Sequence, residues 1–331
     1  MLRQKRPEVT IAMPVYNGGT DLKQAIESLL GQDYPNLKFI IADDCSTDGS
    51  YEYLEGQFRN DARFTLYKNT RNLGVNGNYN NLFQHITNEF FMFADQDDFW
   101  EKKFISESIS LFEKYPQISS ATAHAKSVSN DLQKTFFIDP GLSTVGLSPV
   151  ERFKKYRLKL HSGQDIGGIF CAVHKTAIFK KGMPLKKVLG NDHLAIATMS
   201  LESEFLTSDK VLFTKRRGGS SDNLKKVARL YGIKTGLYFT LLPLLPREIE
   251  FQKIIFNANS LSSLKKINLS LWSLRNYFFT HHIKEPFFKF LLLAKHVLIG
   301  REHISTFLRK DHPLSKKIFY LIKVLFRRFK K

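Results

Sequence analysis

A chain of 331 residues has room for one large α/β domain with an appendage, or for two domains, and 43% hydrophobic residues allow a sizeable core. Its two cysteines, Cys45 and Cys171, make no CxxC pair and no disulfide framework, which fits a reducing cytosol and leaves both as small buried apolar side chains. The formal charge of +19 is lopsided: residues 224–331 hold 22 Lys or Arg against 5 Asp or Glu, so a near-neutral body, 1–223, precedes a basic tail, 224–331. The first six residues are short and basic without the apolar run of a signal peptide. No stretch reaches the ~20 apolar residues that cross a bilayer, so neither secretion nor a transmembrane span is expected.

Residues 9–15 form an apolar run that Pro14 and the pair Gly18-Gly19 bring to an end, which predicts a strand opening into a loop. Thr20 or Asp21 can cap the following helix, whose Leu22, Ile26, Leu29 and Leu30 share a face. A second buried strand, 37–42, breaks at Asp43-Asp44-Cys45-Ser46-Thr47-Asp48-Gly49. Ser46 or Thr47 can cap a helix over 51–58, and 64–67 supplies a third strand. An Asn- and Gly-rich stretch, 69–81, precedes a further helix. Then comes Phe90-Phe91-Met92-Phe93-Ala94, a run apolar on both faces, as expected in the middle of a parallel sheet. Its end carries Asp95, Asp97 and Asp98. Strand, helix and strand with an acidic break at the strand's C-terminal end is a βαβ unit, and in such sheets ligands sit at that edge.

Three carboxylates packed this closely call for a positive partner, and oxygen-only ligands favour a hard divalent cation, Mg2+ or Mn2+. Asp95 and Asp97 are therefore candidate metal ligands serving a substrate diphosphate. The competing reading is an acidic turn capping the helix that follows near Glu101. Neither GxGxxG nor GxxxxGK[ST] occurs, which counts against dinucleotide enzymes and P-loop NTPases.

Farther on, a helix over 104–115 returns to a strand near 118–128. Residues 129–165 read as irregular, with loop signals at Asp139, Pro140 and Gly141. Residues 167–173 read as a strand whose paired glycines allow close approach of a ligand or of another strand. Asp192 precedes the amphipathic run 194–201, where it can serve as a helix cap. A short strand, 211–214, leads into Lys215-Arg216-Arg217-Gly218-Gly219-Ser220-Ser221. At the far end, 316–331 has Ile318, Leu321, Ile322, Leu325 and Phe329 on one helical face with Lys and Arg opposite. That pattern suits an anionic membrane surface, as do the aromatic residues upstream from Trp272; packing on the body or on a second copy in a homo-oligomer is the alternative. No nucleic-acid-binding motif accompanies the charge.

Three segments, Val9-Thr-Ile-Ala-Met-Pro-Val-Tyr-Asn17, Ala42-Asp-Asp-Cys-Ser-Thr-Asp48 and Phe93-Ala-Asp-Gln-Asp-Asp-Phe-Trp100, resemble the ordered N-terminal signatures of family 2 glycosyltransferases. The third is similar to the form common in bacterial rhamnosyltransferases. The resemblance implies a GT-A fold, a mostly parallel sheet flanked by helices, with a helical C-terminal extension. It also implies an inverting transfer, with Mg2+ or Mn2+, from a dTDP- or UDP-linked sugar to a glycan or lipid-linked acceptor at the inner face of the cell membrane. It places Pro14, Val15 and Tyr16 around the nucleobase and Asp44 on the pyrimidine. Asp95 falls on the ribose or metal, Asp97 on the metal, Asp192 as the base and Arg217 on the diphosphate. Two rivals stand beside it. A nucleotidyltransferase needs a Gly-rich basic loop near the N-terminus, and residues 16–21 have no Lys or Arg. A noncatalytic basic adaptor predicts no turnover.

Overall fold

The computed structural model describes residues 6–161, 167–217, 227–228, 231, 233 and 244–282. The N-terminal part alternates as expected: β1 (Val9–Val15), α1 (Gly19–Leu30), β2 (Leu37–Asp43), α2 (Ser50–Phe58), β3 (Phe64–Lys68), α3 (Gly74–Gln84) and β4 (Phe90–Phe93). Next come β5 (Phe99–Trp100), α4 (Phe104–Lys114), β6 (Ile118–Ser129), β7 (Thr135–Asp139), α5 (Pro149–His161), α6 (Gly167–Phe170), β8 (Val173–Lys175) and α7 (Thr176–Phe179). The series ends with α8 (Asp192–Glu202), β9 (Glu204–Arg217), α9 (Leu245–Asn257) and α10 (Ser263–His282).

One sheet runs in the order β3-β2-β1-β4-β8-β6-β9-β5, with β7 on β6. Strands β1 to β4 are parallel, and the long β6–β9 ladder is parallel too, while β8, β7 and β5 pair antiparallel. Every residue of β4 is buried, as a strand covered on both faces must be. Phe91 and Phe93 pack with Phe83, Phe170 and Phe179 into an aromatic core, the Phe93 and Phe170 rings stacked at 5.3 Å. Because β1, β2 and β4 run parallel, their C-terminal ends meet at one edge.

Several expectations need correcting. The Asn-rich stretch is itself helix α3, because its asparagines find tertiary partners that outweigh their poor helix propensity. Residues 129–165 are irregular only in part: among those described they also hold β7 and α5, whose buried Arg152 and Arg157 disguised an inward-facing helix surface. Gly167–Phe170 is a helical turn, leaving only Val173–Lys175 as strand. Strand β9 spans 14 residues and takes in Lys215 and Arg216. Neither α1 nor α2 has a side-chain cap: Gly18 and Gly49 hold the capping positions. Leu244–Arg275 clusters with Met1–Thr235 in one compact unit. Helix α9 belongs to that unit because Glu248 forms a buried ion pair with Arg157 of α5 at 2.6 Å. The 316–331 helix lies outside the described residues. Among those described, no helix is long and apolar enough to cross a membrane.

Candidate active site

A proline makes the crevice. Ala94 N–H donates to Ala12 O at 3.0 Å, the last backbone bond between β1 and the β4 chain. Pro14, two residues on, faces the same side and has no N–H to offer, so the chains part there. A side chain then takes over from the backbone. Tyr16 N–H donates to Gln96 Oε1 at 2.9 Å, and Gln96 Nε2 donates to Tyr16 O at 3.0 Å. The Gln96 amide thus acts as one more peptide unit and sets the acidic loop against the end of β1. Gly18 leaves room for it, since a Cβ there would stand 2.9 Å from Gln96 Oε1.

The β2 loop is locked to the β1 loop. Asn17, at φ 50°, donates its N–H to Ser46 Oγ at 2.9 Å and accepts from Thr47 N–H at 2.8 Å. Asp48 Oδ2 accepts from Gly19 N–H at 2.9 Å while its Oδ1 accepts from the Ser50 hydroxyl and N–H. Burial opposes ionisation of Asp48, but these bonds together prevail and lower its pKa. Of the expected base-pocket residues, Pro14 and Tyr16 keep accessible surface, whereas the Val15 side chain lies in the core and its carbonyl accepts from Asp44 N–H. The Asp44 carboxylate accepts from Asn69 Nδ2, Leu73 N–H and Gly74 N–H at 2.8, 2.7 and 2.9 Å. It orders the loop into α3, and three of its roughly four lone-pair positions are taken.

The acidic loop does not cap a helix: α4 begins at Phe104 with Lys103 at its N-cap and no side-chain bond. Asp95 Oδ1 accepts from the buried Tyr79 hydroxyl, and Cys171 Sγ lies 3.8 Å from Asp95 Oδ2. Asp98 Oδ1 accepts from Arg216 N–H at 3.1 Å, while its buried Oδ2 has no hydrogen-bond partner. Burial, and then the Asp95 charge, push Asp97 up to about 6. Burial also holds Asp98 well above the usual carboxylate range; the charge of Lys215 opposes this, and Asp95 and Asp97 add to it. Among the described residues, Asp95, Asp98 and Cys171 can bring three ligand atoms within 4.8 Å of one another, a set that leaves out Asp97. A thiol is a soft ligand, so a hard cation would favour the carboxylates. A buried Asp98 oxygen without a hydrogen-bond partner and two carboxyls that burial and mutual repulsion raise against the opposing charge of Lys215 fit a divalent cation.

Asn191, not Asp192, caps α8: its Oδ1 accepts from Asp192 N–H at 2.7 Å, and its Nδ2 donates to Asn76 Oδ1 of α3. The Asp192 carboxylate is therefore released from capping. It is 29% exposed, with His193 Nε2 at 3.5 Å. Burial first, and then the charges of Asp192 and Asp95, hold the Tyr231 phenol well above its ordinary pKa. Helix α3 links the acidic loop to α8: its Tyr79 donates to Asp95, and its Asn76 accepts from Asn191, the residue before Asp192. Arg216 is committed elsewhere, to Asp21 and Gln24 of α1 and over the Phe99 ring at 4.6 Å. Arg217 ends β9 opposite Ser129; its side chain and the 218–221 loop lie outside the described residues. Gln96, Tyr79, Asn76 and Tyr231 went unassigned from the sequence, where no spacing ties them to Tyr16, Asp95, Asn191 or Asp192.

Comparison with known proteins bears on the family and the fold. A 32% identity over 93 residues, 28% of this chain and 30% of the relative, links it to a GalNAc(5)-diNAcBac-PP-undecaprenol beta-1,3-glucosyltransferase of Campylobacter jejuni. A Bacillus subtilis protein named as a teichuronic acid biosynthesis glycosyltransferase, TuaG, is 29% identical over 106 residues, 32% of this chain and 42% of the relative. The matched stretch thus spans less than half of each relative. The crystal structure of S. aureus TarS 1-349 in complex with UDP-GlcNAc superposes with a TM-score of 0.58 over 82% of this chain and 72% of that one, at 16% identity, which is a likeness of fold. The description Glycosyl transferase family 2 matches residues 10–181, more than half of the sequence, and the chain accordingly belongs to that family.

Proposed function

We propose that the chain is a divalent-metal-dependent, inverting glycosyltransferase that moves a sugar from a nucleoside diphosphate to a hydroxyl of a bacterial surface glycan or its lipid-linked precursor. The observation that carries this reading is the meeting of three strand ends at one edge beside the clustered carboxylates Asp95, Asp97 and Asp98, with a further carboxylate, Asp192, released from capping at the start of α8, which α3 ties to the acidic loop. Pro14 and Tyr16 flank the base, and Asp44 shapes the loop beside it. Asp95 and Asp97 would hold Mg2+ or Mn2+, with Asp98 beneath them, and the bound cation would offset the charge gathering on the departing diphosphate. Arg217 would hold the same phosphates from the end of β9. Asp192 takes the proton from the acceptor hydroxyl as its oxygen attacks the anomeric carbon. The bond from that carbon to the diphosphate oxygen breaks as the new one forms, and the nucleoside diphosphate leaves. The relatives named above act in teichuronic acid and lipid-linked oligosaccharide assembly, which supports the acceptor class. For the donor, the segment Phe93–Trp100 favours dTDP-rhamnose, and the TarS likeness supports a UDP-linked N-acetylhexosamine as the second reading. The basic 316–331 segment would hold the enzyme at the inner membrane face.

A panel of dTDP- and UDP-sugars incubated with the enzyme, Mn2+ and native membranes tests this. Asp192→Asn is expected to lower transfer by about 10²–10⁴-fold while leaving donor binding in place. Asp97→Asn and EDTA should abolish transfer. Turnover that survives both would remove the metal from the scheme, and no turnover with any donor would favour a ligand-binding adaptor.

A further inference from the structure

Helices α9 and α10 carry outward faces unlike a water-facing surface. On α10 the residues turned inward are Leu269, Ser270, Ser273 and Tyr277. Ser270 Oγ donates to Gln252 Oε1 at 2.6 Å and Ser273 Oγ to Glu248 Oε1 at 2.8 Å. Turned outward are Leu264, Ile267 and Leu271, which are 68, 48 and 62% exposed. Spacings of three and four residues put them on one stripe. The pattern repeats on α9, where Phe251 and Ile255 fill the core while Ile249 and Phe256, two turns apart, are 48 and 50% exposed. Single exposed leucines are ordinary, but an apolar stripe on each of two neighbouring helices marks a surface that meets something other than water.

The charge around these stripes says what that is. Lys253, Lys265 and Arg275 are exposed on the same helices. Of the acidic residues there, Glu250 pairs with Lys253, and Glu248 is buried against Arg157. Large exposed aliphatic side chains on helices that also expose Lys265 and Arg275 match the headgroup layer of an anionic bilayer, where apolar burial and attraction to lipid phosphates act together. We propose that the outward faces of α9 and α10 dock the catalytic body directly on an anionic lipid surface, independently of the basic segment at the end of the chain. Helix α9 packs on α8, and a Cβ at Gly190, two residues before Asp192, would stand 2.6 Å from Arg247 Nη1. The docked face is thus one helix removed from the proposed base.

The test places an environment-sensitive fluorophore at Leu271→Cys in a Cys45→Ser full-length chain. The label is then followed on vesicles of phosphatidylcholine with about one third phosphatidylglycerol, and on phosphatidylcholine alone. The expected result is a blue shift on the anionic vesicles only, quenched by spin-labelled lipid and reversed by high salt. Lys265→Glu with Arg275→Glu should weaken partitioning by about tenfold or more. Ile267→Cys repeats the reading should Leu271→Cys fold poorly. Cosedimentation with an unshifted label would mean that the basic segment binds alone, and would overturn the proposal. So would a label already blue-shifted without lipid, the face then being covered by residues 276–331 or, if light scattering finds a dimer, by a second copy. Absence of vesicle binding would overturn it as well. None of these readings depends on catalysis, so failure here and failure of the proposed transfer are separate results.

Discussion

Single side chains in this protein do work normally done by the backbone. Gln96 extends the β1 ladder past the point where Pro14 ends it, and Asn191 supplies the cap that leaves Asp192 released. His174 shows how burial sets a titration. It sits on β8 among Phe91 and Phe179, fully buried, with Nε2 3.1 Å from Phe170 O, and loss of solvent lowers its pKa from 6.5 to about 4. The folded state keeps His174 neutral, whereas the unfolded chain takes up a proton below about pH 6.5. Its contribution is therefore fully present above pH 6.5 and is lost as the pH falls toward 4. At pH 4.5 the loss is about 2–3 kcal/mol. Urea unfolding of the wild type and of His174→Phe at pH 7 and 4.5 checks this: the fall in stability with acid should be smaller in the variant by that amount. Equal falls would mean that the ring is protonated within the fold.

At the scale of elements, α3 is the piece that joins the site. Asn78 Nδ2 donates to Ala42 O on β2, Asn81 Nδ2 to Asn69 Oδ1, Tyr79 to Asp95, and Asn76 Nδ2 to Lys186 O. One helix thereby touches the base-side loop, the acidic loop and the start of α8. An apolar helix could pack here but could not register three polar loops against one another. Asn76→Ala should remove the support of Asn191 and so loosen the turn that presents Asp192. The expected cost is about 1–3 kcal/mol of stability for the unpaired groups, and a fall in kcat larger than any change in donor KM. Unfolding curves and steady-state kinetics together decide it, since a purely structural asparagine would lower the active fraction without altering the kcat of the folded enzyme.

Across the whole molecule, the body is completed by residues that the charge pattern hides. Arg157 and Glu248, 91 positions apart, form an ion pair with both side chains buried, and the Arg157 guanidinium also lies 3.9 Å over the Phe251 ring. This contact, with α9 against α8, makes Leu244–Arg275 part of the catalytic unit. Arg157→Met should destabilise by about 3–5 kcal/mol because Glu248 is left charged without its cation, whereas Arg157→Met with Glu248→Leu should recover most of the loss. Chemical denaturation of the three proteins measures this. A double variant no better than the single one would mean that the pair is needed for its geometry as well as its charge.

Strands β1 to β4, the acidic breaks at their ends and the family were legible in the residues. Runs buried on both faces and Pro or Gly stops are local signals, and the ordered motifs lie within about the first 100 residues. The helix of 129–165 escaped because its buried arginines count as polar until Glu248, Ser200 O and Leu201 O are known to meet them. The roles of Asn76, Tyr79 and Gln96 escaped for the same reason. A side-chain hydrogen bond between residues 16, 80 or 115 positions apart leaves no periodicity to read. The sequence by itself determined which chemistry stands at each strand end. Only the tertiary structure decided which carboxylates are held above their usual range, because that depends on burial and on which donors the folded chain brings within reach.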